Sequence, residues 1–131
     1  MNVALEGKSY PPTTFVVDER AVEAFRTAVG DGSSGGVVPP TFATVAEFTA
    51  FPAIVGDPEL GLDFSRVVHA EQGYEARRPL VVGETLTVHS MIASARSRGG
   101  HSFLTIRTEL VDAAGEVVVT ALATMLERAA S

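Results

Sequence analysis

From Val67 onward, apolar and polar residues alternate with a period of two in four runs separated by turn-forming residues, and no other feature restricts the fold as strongly. The runs are Val67–Arg77, Thr85–Ala95, Phe103–Asp112 and Val117–Glu127. In the third, Leu104, Ile106 and Leu110 fall on one side and Thr105, Arg107 and Glu109 on the other, as a strand with one wet face requires. The fourth is apolar on both sides, which places it inside a sheet. Pro79 with Gly83, Arg98-Gly99-Gly100, and Asp112-Ala113-Ala114-Gly115 supply the connections. Connections this short predict antiparallel neighbours and hence a meander.

The preceding half carries a helical period. Thr13–Val17 is a short β-rich run, after which Asp18 is placed to cap a helix whose Ala21, Val22, Phe25, Ala28 and Val29 share one side. Gly30 stands where a left-handed C-terminal residue is needed, and the Gly- and Ser-rich stretch to Gly36 reads as a loop. Pro39-Pro40 then introduces a helix expected over Thr41–Phe51. Glu47 is its only charged residue, and a helix this apolar on all sides is normally buried. Thr44 and Glu47 have the spacing of a capping box. The expected class is α+β, one domain over residues 1–131, with an antiparallel sheet wrapped around the apolar helix. Such a sheet covers the helix on one side only, so a second subunit is expected to complete the burial.

Composition removes several chemistries. With no cysteine there is no disulfide, no thiolate nucleophile and no Cys-ligated metal. The formal charge of −6 provides no footprint for a phosphate backbone or an anionic bilayer. No apolar run reaches the roughly 18 residues of a membrane span, and Met1–Ser9 lacks the order of a signal peptide. A cytoplasmic protein without nucleic-acid or membrane partners, cofactor or metal is the expectation.

Five segments carry a family likeness: Gly7-Lys8-Ser9-Tyr10-Pro11-Pro12, Ala28-Val29-Gly30-Asp31, Val38-Pro39-Pro40-Thr41-Phe42, Asp57 to Asp63, and Val68-His69-Ala70-Glu71-Gln72 through Arg78-Pro79-Leu80-Val81-Val82-Gly83-Glu84. Through them the chain resembles the MaoC-like, FAS1-type dehydratase N-terminal domain family. The likeness is strongest to stand-alone actinobacterial members, which include accessory subunits of (3R)-hydroxyacyl-ACP dehydratases. The resemblance implies a hot-dog fold, a dimer, and an acyl-thioester tunnel at the subunit interface.

In catalytic members an Asp is followed five positions later by a His. Dehydrating a 3-hydroxyacyl thioester removes a weakly acidic proton from C2 and protonates the departing C3 hydroxyl, so an imidazole and a carboxyl must face the same two carbons. Here Asp31 matches the family's Asp, but Gly36 stands at the His position and the loop contains no His. The resemblance therefore implies a subunit without its own dyad, paired with a His-bearing MaoC-like hot-dog subunit and acting on an acyl-carrier-protein or CoA thioester in fatty-acid or polyketide elongation.

Other side chains compete for roles. His69 falls on the strand side of Glu71, Glu75 and Arg77, a polar set that reads as solvated, with catalysis the lesser alternative. His89 reads as a surface residue and His101 as part of a turn. Glu47 is the sharper alternative, since a carboxylate on the central helix would suit a homodimeric acyl-thioester hydrolase or binding protein. Phe42, Val45, Phe48 and Thr49 are candidates for the acyl tunnel, and Arg77, Arg78, Arg96 and Arg98 for contact with a phosphopantetheine or an acidic carrier.

Overall fold

Asp18 begins the first helix as its position predicts: its carboxylate accepts the Ala21 N–H at 3.0 Å, and α1 runs Glu19–Val29 to Gly30, which is left-handed at φ 74°. A computed structural model describes residues 1–33 and 35–131; of the Gly- and Ser-rich loop, Ser34 lies outside the described residues. Five strands form one antiparallel sheet: β1 Thr13–Val16, β2 Val67–Ala76, β3 Thr85–Arg98, β4 His101–Val111 and β5 Val117–Glu127. Their order is β1-β3-β4-β5-β2.

That order corrects the expected meander. The β3–β4 and β4–β5 connections are hairpins, but β2 pairs with β5 and not with β3. Residues 77–84, read from Pro79 and Gly83 as a hairpin, instead cross from one edge strand to a strand on the far side of β4 and β5. Arg78 staples this crossing in place. Its guanidinium reaches both carboxylate oxygens of Glu84, at 2.8 and 3.0 Å, and Asp112 in the β4–β5 turn at 3.3 Å. The Arg-Pro and Gly-Glu pairs of the sequence are thus partners in one ion-paired strut, and β5 lies inside the sheet as its two apolar faces predict.

The central helix is also shorter than expected. In place of one helix over Thr41–Phe51 there is a 3₁₀ turn Pro40–Phe42, α2 Ala43–Glu47, and α3 Phe51–Val55. Pro52 has no N–H for the Phe48 carbonyl, so the chain passes residues 48–51 on tightened bonds, with Thr49, Ala50 and Phe51 donating three residues back. The Thr44–Glu47 capping box does not form, because Thr44 lies within α2 and no side chain caps that helix.

All helices lie on one face of the sheet. Phe42 is fully buried there between Phe15 and Phe25, whose ring centroids are 6.1 and 5.6 Å away, in a cluster with Val22, Leu86 and Leu110. A second cluster gathers Ile54, Leu60, Ile92, Leu104 and Ile106. Each of these buried side chains contributes about 1.5–3 kcal/mol. Among the described residues, no helix is long and apolar enough to cross a membrane.

Candidate functional site

The site is built where α2 and α3 face strand β2. Alternation along a regular strand would put His69 on the same side as Glu71 and Glu75. The register of β2 against β5 instead shifts between His69 and Glu71, where Ala70 is an extra residue. His69 is opposite Met125, Gln72 opposite Ala123 and Tyr74 opposite Ala121, all on the helix side, while Glu71 and Glu75 turn to the outer face opposite Thr124 and Thr120. The polar set assigned to His69 from sequence is therefore divided between two faces.

Gln72 and Tyr74 meet Glu47, whose side chain is 0% exposed. Gln72 Nε2 donates to Glu47 Oε2 at 3.1 Å and the Tyr74 hydroxyl to Oε1 at 3.2 Å. Having spent its proton on Glu47, the Tyr74 hydroxyl accepts from the Thr44 hydroxyl. Burial pushes the Glu47 carboxyl above its ordinary value, against the opposing pull of its two hydrogen bonds and of His69. Burial likewise raises Tyr74 to about 12. Among the described residues, Gln72 Oε1 is buried without a hydrogen-bond partner. A carboxyl enclosed in this way, with both oxygens engaged, is a strut between α2 and β2; reaching a thioester would require it to leave that enclosure.

Beside this network opens a groove of about 400 Å³, lined by Phe48, Phe51, Phe64, Val67, Met125 and His69 together with Pro52 and Val55. Phe48 stacks on Phe51 with centroids 4.6 Å apart, and the His69 ring lies 6.0 Å from that of Phe48. Phe48 and Phe64 are 41% and 64% exposed, a large apolar surface for a small protein to leave uncovered. Its volume falls within the range of ligand clefts, about 300–1,000 Å³.

The remaining sequence candidates disperse. Asp31 accepts from the Ser33 N–H at 2.8 Å while its own N–H donates to Arg26. The Ser33 hydroxyl and N–H hold its carboxyl below the usual range, and it does not line the Phe48 groove. Gly36, at the family's His position, is exposed in the loop. Of the proposed tunnel residues Phe48 lines the groove and Phe42 lies in the core, while Val45 is half-buried and Thr49 bonds the Ala46 carbonyl at 2.7 Å. Arg78 is the structural strut described above. Arg77 is exposed beside a second apolar cleft of about 470 Å³ between Val37–Pro40 and Ala76–Leu80. Arg96 and Arg98 line a third cleft on the outer face of the sheet with Ser94 and Thr105. His89 is exposed, and His101 Nδ1 accepts from the Ala129 N–H at 3.0 Å. Among the described residues no three His, Asp or Glu side chains gather as metal ligands.

Gln72, Tyr74 and Phe64 were not singled out from sequence. The inward facing of the two on β2 follows from alternation with Glu71 and Glu75, but their pairing with Glu47 is a contact between distant segments, as is the packing of Phe64, and local periodicity does not register either.

An antiparallel sheet with its helices on one face and a segmented central helix packed against it is the hot-dog fold. The HadBC (3R)-hydroxyacyl-ACP dehydratase complex of Mycobacterium tuberculosis superimposes with a TM-score of 0.77 over 93% of this chain and 96% of that one, at 22% identity. The ChsH1–ChsH2 complex of the same organism gives 0.70 over 94% and 85%, at 14% identity. The family model for the FAS1-like dehydratase domain region matches residues 31–121, and the chain belongs to that family. Its relatives include the UPF0336 protein SCO4636 of Streptomyces coelicolor, 39% identical over 99% of this chain and 97% of that protein.

Proposed function

We propose that this chain is one subunit of a heterodimeric (3R)-3-hydroxyacyl-thioester dehydratase, and that a His-bearing hot-dog partner supplies the acid–base dyad. The observation that carries the reading is the loop from Asp31 to Pro40. It offers a carboxylate already engaged by Ser33 and no imidazole, so the two proton transfers at C2 and C3 lack a base on this side. Strand β2 supports the partnership. It is an edge strand of ten residues without proline, and among the described residues no further strand pairs with its outward N–H and C=O groups. HadBC and ChsH1–ChsH2, both built on this fold, are complexes of two different subunits.

In this reading residues 1–131 form one hot-dog unit working in the cytoplasm. The chain contributes half of the sheet and, through Phe48 and its neighbours, part of the acyl channel, where each methylene buried is worth about 0.8 kcal/mol. The substrate is a carrier-protein thioester of fatty-acid or polyketide elongation, or its CoA counterpart. Arg77 is the one of the four candidate arginines that combines exposure, a free guanidinium among the described residues, and a position beside the Val37–Pro40 segment. The purified chain is expected not to hydrate a 2-enoyl thioester, and to do so when co-expressed with a hot-dog subunit carrying the Asp and the His. Full activity from the isolated chain overturns the proposal.

A further inference from the structure

The Phe48 groove has a single polar lining group, His69. Its immediate neighbours on the helix side of the sheet, Val67 and Met125, are apolar, and the acidic residues that would neutralise an imidazole on this strand, Glu71 and Glu75, are turned to the other face by the Ala70 bulge. Phe48 at the C-terminal end of α2 lies against the His69 ring, and Glu47, near enough to feel its charge, has both oxygens already taken by Gln72 and Tyr74. His69 itself is exposed to the groove, and its side chain enters no hydrogen bond among the described residues. An apolar groove with one uncommitted donor in its wall is complementary to an amphiphile with a hydrocarbon tail and an oxygen at its head.

We infer that His69 is the head-group residue of this groove: a medium-chain acyl group lies against Phe48, Phe51 and Phe64, and the His69 imidazole donates to its carbonyl or carboxylate oxygen. For a thioester substrate this rests on the dehydratase reading above; for binding itself it does not. His69 then fixes the depth to which the chain enters, because the oxygen is held at the imidazole while the tail runs along the phenyl rings. The role is one of binding and register. No bond of the substrate is made or broken by it.

The protein has three histidines, so their imidazole C–H signals can be followed separately by NMR on the full chain. Decanoyl-pantetheine, uncharged at its carbonyl, and decanoate separate a thioester head from a carboxylate head, and decane serves as the headless control. Either headed probe is expected to shift the His69 signal and leave those of His89 and His101 in place. His69→Phe, which keeps the apolar volume, is expected to weaken binding of the headed probes about tenfold, the equivalent of one hydrogen bond, and His69→Gln to restore part of it. Because His69 is exposed, these variants are expected to melt with the parent. In the co-expressed complex His69→Phe is expected to raise KM with little change in kcat.

A bound probe that leaves the His69 signal unmoved, equal affinity in His69→Phe, or no binding by either the chain or the complex overturns the inference. A shifted His69 signal together with a complex that never hydrates an enoyl thioester leaves the inference standing and removes the dehydratase reading. Hydration by the complex that is indifferent to His69→Phe does the opposite.

Discussion

Replacing Glu47 tests whether the enclosed carboxyl is a strut or a reagent. Glu47→Ala removes the one partner of the Gln72 amide, whose Oε1 already has none, together with the acceptor of the Tyr74 hydroxyl. Each stranded polar group costs about 1–3 kcal/mol, so a loss of about 2–4 kcal/mol is expected. For a chain of this length the entropy of unfolding is about 0.27 kcal/mol/K, which converts that loss to roughly 7–15 °C in Tm. Glu47→Gln keeps the shape, and its new N–H₂ can donate to Gln72 Oε1 once the two amides turn.

The pH dependence gives the sharper comparison. Burial raises the proton affinity of Glu47 in the folded state above its unfolded value. The wild-type chain therefore loses stability as pH climbs from the ordinary carboxyl range through that raised value, whereas the glutamine variant does not. Thermal and urea unfolding followed by circular dichroism between about pH 5 and pH 8, at constant ionic strength, should show Glu47→Gln close to wild type at the acid end and gaining on it as pH rises. A difference between the two that stays flat with pH, or a glutamine variant as unstable as the alanine one, refutes the strut.

Two further outcomes are expected. Lys8 and then Tyr10 hold Asp57 at about 2 through hydrogen bonds of 2.7 Å each, so the advantage of wild type over Asp57→Asn should be complete above the ordinary carboxyl value and vanish as pH falls toward 2 in acid-unfolding titrations. Phe42→Ala should cost about 3–5 kcal/mol in melts while leaving decanoyl-pantetheine binding by the folded fraction intact, and Phe48→Ala should weaken that binding at a cost below about 1 kcal/mol; an exchange of these two phenotypes places the acyl channel at Phe42.

Local pattern was sufficient for most of the strands. Asp18 and Gly30 marked both ends of α1, and the period of two placed β2, β4 and β5 within a few residues of where they lie, because each of these signals is written in consecutive side chains. Strand order is not local. Nothing within residues 77–84 distinguishes a hairpin from a crossing until Arg78 is seen to bridge Glu84 and Asp112, a partner from another turn. Pro52 was visible, and the missing N–H that breaks the central helix follows from it; the apolar uniformity of Thr41–Phe51 masked the break.

At the site, the isolated charge of Glu47 on an apolar segment stood out from sequence alone. Its partners did not: alternation from the solvated Glu71 and Glu75 turns Gln72 and Tyr74 inward, but nothing local to β2 pairs them with Glu47. The extra residue Ala70 misled the reading only at His69, which precedes the bulge and so faces the helices instead of sharing the side of Glu71.

The crossing of β2 to the far edge also governs the order in which the protein can be assembled. β3 and β4 can zip together as soon as both have been synthesised, but β2 must wait for β5, the last strand in the chain, before any of its backbone groups are paired. This is a slow, non-local step of the fold, as is the pairing of β1 with β3, which closes a still longer loop. The groove wall and the open edge of β2 therefore mature together and last. In the heterodimer proposed above, an incomplete nascent chain would present no finished docking edge, so pairing would be deferred until the sheet is whole.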